Sequence, residues 1–110
     1  MSWTKLDDQY FYNPKVLAAG RDARDVHLAS MVYSSGQLTD GFIPANAIAL
    51  LGAMAMVANA QECAARLVEV GLWEEAKGGF LIHDYADYNP PADQVRAVRK
   101  AKFAFLTART

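Results

Sequence analysis

The sequence predicts a mainly α-helical fold with a small β-hairpin, of the α+β class. Three observations predict it. Apolar residues recur at helical spacing in several stretches, and these are bounded by Asn-Pro, Asn and Gly. Residues 71–85, GLWEEAKGGFLIHDY, set two short apolar runs around Lys77-Gly78-Gly79. The chain has 110 residues, 53% hydrophobic and 21% charged, which suits one small globular domain with one buried core.

The elements follow in order. Ser2 to Leu6 reads as a short strand or extended lead-in, with Trp3 as an apolar anchor. Asn13-Pro14 opens a helix, because Asn caps and Pro is tolerated at the first helical position; Gly20 closes it after Ala19. A second helix covers Asp22 to Ser34, with a wide apolar face from Val26, Ala29, Met31, Val32 and Tyr33, and Gly36 ends it. Thr39-Asp40-Gly41 is turn chemistry, and Phe42-Ile43 is a two-residue strand. Pro44 opens a short helix from Ala45 to Leu51, and Gly52 to Ala58 form a connector. Asn59 caps a third helix, Ala60 to Val70, with Glu62 completing an imperfect capping box and Gly71 ending it. The hairpin follows, its glycines serving a turn that needs positive φ. Residues 85–91 form an irregular aromatic exit, and a last helix runs from about Ala92 to Thr107. A helix–turn–helix followed at once by a two-stranded hairpin is the winged-helix layout. The expectation is therefore a winged helix-turn-helix domain over 1–91 and an added basic, amphipathic C-terminal helix over 92–110.

Charge is uneven. Net charge is −1, yet residues 1–91 carry 6 basic against 11 acidic side chains, a net −5, and residues 92–110 carry 5 basic against one acidic, a net +4. This is a basic tail on an acidic body. Lys5, Asp7 and Asp8 stand where a secretory leader would need an apolar core. Cys63 is the only cysteine, so no intrachain disulfide and no cysteine-rich metal site is expected, and a reducing cytoplasm is the simplest location. Residues 41–61 contain no charge and have the length of a membrane span, but Pro44, Asn46, Gly52 and Asn59 divide them. Two short buried helices, and no membrane contact, are expected there.

Catalytic signals are few. There is no Gly-x-Ser-x-Gly and no Walker loop. Gly78-Gly79 runs into the apolar Phe80-Leu81-Ile82 and not into a helix N-terminus, so it is not a phosphate loop. His27 and His83 lack zinc-site spacing, and His83 and Asp84 in one strand would point to opposite faces. Cys63, among Ala64, Ala65 and Leu67, reads as a buried inert thiol. No enzyme, cofactor, metal or small-molecule substrate is expected.

Several motifs together resemble a known family. They are Trp3-x-Lys5-Leu6, Asn13-Pro14-Lys15-Val16, Gly20 to Asp25, Leu38 to Pro44, Leu67-Val68-Glu69-x-Gly71-Leu72-Trp73, Gly78-Gly79-x-x-Ile82-His83-Asp84-Tyr85 and Tyr88-Asn89-Pro90. This pattern, over roughly residues 3–91, resembles the winged-helix domain of phage and prophage proteins of actinobacteria. The layout is similar to the N-terminal domain of DnaD-type primosome proteins and phage replisome organisers. The resemblance implies double-stranded DNA binding, or oligomer building, in replication initiation or gene regulation inside the bacterial host cell.

Two sets of residues follow. For DNA, a winged helix reads bases from its third helix, which offers Asn59, Gln61 and Arg66. Lys77 in the wing and Arg96, Arg99 and Lys100 in the last helix supply cations for phosphates, with Arg21 and Arg24 as further backbone contacts. Against this, Glu62 and Glu69 leave the third helix net −1, and Glu74 and Glu75 make the wing acidic. For a protein partner, the candidate interface comprises Trp3, Ile48, Leu51, Met54, Met56 and Phe103, and the occupant is a second copy or a replication or host protein. The basic stripe of the last helix also fits a solvated face or an acidic partner. A positive band joining third helix, wing and tail would favour DNA. An acidic third-helix face beside an apolar patch would favour a protein.

Overall fold

The computed structural model describes residues 4–85 together with Arg96 and Lys100. Over these residues the protein is mostly helical with a small antiparallel sheet, an α+β arrangement. Trp3, the aromatic exit beyond Tyr85, and Arg99 and Phe103 of the last predicted helix lie outside the described residues; Arg96 and Lys100 are helical. Thr4 to Leu6 form no strand, and a 3-10 turn at Tyr10–Tyr12 precedes the first helix.

Helix α1 is Pro14–Ala19. It starts as the sequence predicts, with Pro14 in the first turn and the Asn13 side chain accepting the Lys15 N–H at 2.9 Å. Helix α2, Arg21–Gln37, is longer than predicted and passes through Gly36. Its end is set by Ser34. The Ser34 carbonyl accepts the Thr39 N–H at 3.2 Å, and its hydroxyl meets Thr39 Oγ1 and the Gly41 N–H, both at 2.6 Å. These bonds tie the turn back onto the last helical turn, so Leu38 takes the left-handed conformation and the glycine before it stays helical. Of the predicted α2 face, Val26 and Met31 are buried, whereas Val32 is exposed.

Strand β1, Phe42–Pro44, leads through a 3-10 turn at Ala45–Ala47 into α3, Ile48–Ala55. The predicted break at Gly52 is absent, and the helix continues to Ala55. A Cβ on Gly52 would lie 2.7 Å from Ala60 Cβ, so this glycine permits close helix packing. Met56 then turns the chain with φ 59°, and α4 runs Ala60–Val70. The stretch Ala45–Ala55 and α4 meet at 105° across residues 56–59. No single described helix is long and apolar enough to cross a membrane.

Gly71, with φ 87°, ends α4 as predicted. Strands β2, Trp73–Ala76, and β3, Gly79–Ile82, then form a hairpin with Trp73 opposite Ile82 and Ala76 opposite Gly79. Among the described residues the sheet has three strands and not two, since β1 pairs with the other side of β3. Gly78 supplies the positive φ of the two-residue turn, but Gly79 does not. A side chain on Gly79 would collide with the Ile43 carbonyl oxygen, so that glycine lets β1 approach. The core lies between α2, α3, α4 and the sheet, where Val26, Ile43, Leu51 and Leu67 are fully buried and Trp73 packs on Phe80 at 5.1 Å.

Candidate functional site: the α3–α4 face

Helix α4 has a buried side of Ala60, Cys63, Ala64 and Leu67. Helical periodicity therefore centres its exposed side on Glu62, Ala65 and Glu69. The predicted DNA contacts are exposed but sit at the margins: Gln61 on one edge, Asn59 and Arg66 on the other. Asn59 does not cap the helix with its side chain; its amide nitrogen donates to Glu62 Oε2 at 3.3 Å, and its carbonyl oxygen faces Cys63 Sγ at 3.8 Å. Arg66 pairs with Glu69 at 3.6 Å. Asn59 and Arg66 share a shallow groove of about 450 Å³ with Arg21 and Asp22 at the start of α2, so two cations and two carboxylates, counting Glu62, line it.

The other predicted cations do not join them. Lys77 is exposed at the hairpin turn, with Glu74 and Glu75 exposed on β2. Arg96 donates to the Leu38 carbonyl at 3.4 Å. Leu38 leads to Gly41, whose carbonyl accepts the Ile82 N–H at the end of β3 remote from the Lys77-Gly78 turn. Arg96 and Lys77 thus lie toward opposite ends of the sheet. Lys100 is exposed. Arg24 bridges to Asp25 at 3.4 Å and lies 5.3 Å over the Phe11 ring, so its charge is partly engaged.

The predicted apolar interface divides. Ile48 and Leu51 are 1% and 0% exposed; they fill the core and are withdrawn from any surface. Met56 is 92% exposed in the turn into α4, and Met54 and Leu50 are 45% and 51% exposed on α3. Leu50 joins this patch in the place the core residues vacate. These three residues carry no charge, and the chain runs from Met56 through residues 57–59 into α4.

Elsewhere, His83 overturns the opposite-faces expectation. It follows β3, and because Asp84 adopts φ 60° the two side chains meet, His83 Nε2 lying 3.2 Å from Asp84 Oδ2 while Nδ1 lies 3.0 Å from Glu74 Oε1. Among the described residues no three His, Cys, Asp or Glu side chains converge as metal ligands. Cys63 is buried, and burial, with Asp22 and Glu62 adding, pushes its thiol up, away from the thiolate a nucleophile needs.

The sequence did not reveal a second concavity. It measures about 390 Å³ and lies between the N-terminal segment, α1, α2 and the end of β3. Tyr10 and His27 are buried in its wall, with Tyr10 Oη 2.7 Å from His27 Nδ1. Burial lowers His27 to about 4 and raises Tyr10 above the ordinary phenol range. No protein-family model matches the chain, and it has no significant match among curated proteins or solved structures.

Proposed function

We propose that the protein is a small winged-helix module that works by docking on another protein, a second copy or a component of a replication or regulatory assembly. One observation carries this reading: the middle of the exposed α4 face is acidic, and the uncharged Leu50, Met54 and Met56 stand exposed on α3 and in the turn that precedes α4. Exposed methionines adapt to a partner surface, and a charge-free patch of this kind is costly to leave in water. Glu62 and Glu69 repel a phosphate backbone where a recognition helix would have to lie closest to it.

A second reading, double-stranded DNA binding in replication initiation or gene regulation, rests on shape. A 105° crossing over a four-residue turn, with a hairpin directly after the second helix, suits a DNA-binding helix–turn–helix with a wing. Its cations would be Arg21 and Arg66 in the groove with Arg96 and Lys100 beyond it.

Two measurements on the full chain separate the readings. Light scattering across a concentration series should show self-association, or a replication or regulatory protein from the host should be captured, and Leu50→Glu or Met56→Glu should abolish either. Fluorescence anisotropy with duplex DNA should show little binding. A monomer that captures no partner, yet binds duplex with an affinity that falls steeply with salt and is lost in an Arg21/Arg66 double alanine variant, would reverse the order.

A further inference from the structure

We infer that the cavity between the N-terminal segment and the end of β3 is a binding site for a small carboxylate carried on an apolar body. Three motif segments distant in sequence meet there: Lys5-Leu6, Asn13 to Val16, and Ile82 to Tyr85. None of them belongs to the α3–α4 face, so the docking reading does not account for their meeting. At about 390 Å³ the cavity falls in the size range of small-molecule sites, and like them it joins an apolar floor to a few convergent polar groups.

The floor is Val16, Met31, Leu72 and Ile82. Two groups give it polarity. His27 is 4% exposed, and its ring lines the cavity. The only hydrogen bond described for the Tyr10 hydroxyl is the one to His27 Nδ1. With the hydroxyl as donor in that contact, the neutral ring carries its proton on Nε2, which no described hydrogen bond engages. Lys15 stands on the rim and enters none of the ion pairs among the described residues. The two rim carboxylates are already engaged: Asp7 accepts the Gln9 N–H at 2.8 Å, and Asp84 faces His83 Nε2 at 3.2 Å.

The Lys15 ammonium, which lies beside Gly71 next to the floor residue Leu72 and outside every described ion pair, and one neutral N–H donor match a monoanion. A phosphate dianion would need further cations and would meet the Asp7 and Asp84 charges. The apolar floor requires a hydrocarbon or aryl body on the ligand, since an acetate-sized anion would leave it wet.

The test uses the full isotope-labelled chain titrated with 3-phenylpropionate and with its uncharged amide. The methyl signals of Val16, Met31, Leu72 and Ile82 and the His27 ring nitrogens should shift with the acid. The acid should bind about tenfold more tightly than the amide, as one charge-assisted contact gives. Lys15→Met, at an exposed position, should leave the spectrum folded and erase the difference between acid and amide. Equal binding of acid and amide by the native chain, shifts confined to other surfaces, or an undiminished preference in Lys15→Met would each overturn the site. The α3–α4 face takes no part in these readouts, so failure here is separate from failure of the docking reading.

Discussion

His27 is where a single side chain sets a property of the whole chain. Burial lowers it from 6.5 to about 4, so the folded protein holds the ring neutral while the unfolded chain protonates it near pH 6.5. Between these values the unfolded state binds more protons, and stability falls as pH falls. The full contribution is present above pH 6.5 and is lost toward pH 4, to a total of about 3 kcal/mol. Urea denaturation from pH 7 to pH 4 should show the midpoint dropping across that window; an unchanged midpoint would contradict the buried neutral ring. Tyr10→Phe removes the hydroxyl from Nδ1 and should cost about 1–2 kcal/mol at pH 7, measured by the same method. His27 falls within the second helix that the sequence predicts, but its tyrosine partner, 17 residues earlier, was not legible. That pairing depends on how the 3-10 turn packs on α2, and no periodicity encodes it.

At the scale of elements, the legible boundaries are those with local causes. Asn13-Pro14 opens α1 and Gly71 closes α4 because a side-chain cap and a left-handed glycine act within a few residues. Gly36, Gly52 and Gly79 were misread because two of them answer to distant atoms and the third is overruled by the bonds of Ser34. Two substitutions test this. Gly52→Ala places a methyl against Ala60 and should cost about 1–3 kcal/mol in thermal unfolding. Gly79→Ala drives a methyl into the Ile43 carbonyl and should cost about 3 kcal/mol or more, with loss of the β1–β3 amide protection in hydrogen exchange. Gly36→Ala, helical and with open space at its Cβ, should stabilise by about 0.5–1 kcal/mol.

For the whole molecule, the α+β class was legible because helix punctuation and the hairpin turn are written locally; the strand at Phe42-Ile43 was legible too, but not its pairing with β3, which joins residues far apart in the sequence. The candidate site was only half legible. The residues of α4 could be named, but which of them stand in the middle of its face, and which apolar side chains of α3 stay outside, depends on packing against α2 and the sheet. Glu62→Lys with Glu69→Lys would turn that middle basic. The double variant should gain salt-dependent duplex binding in anisotropy and lose partner capture; gain of neither would place the working surface elsewhere. The sheet adds a consequence of its own. Among the described residues only β3 is paired on both sides, so β1 and β2 are the borders of this sheet. One border ends in Pro44, which has no N–H to offer, and the other carries the exposed pair Glu74 and Glu75. A visiting strand finds either a missing donor or two negative charges. At these two edges, copies of this chain therefore resist zipping together into fibres.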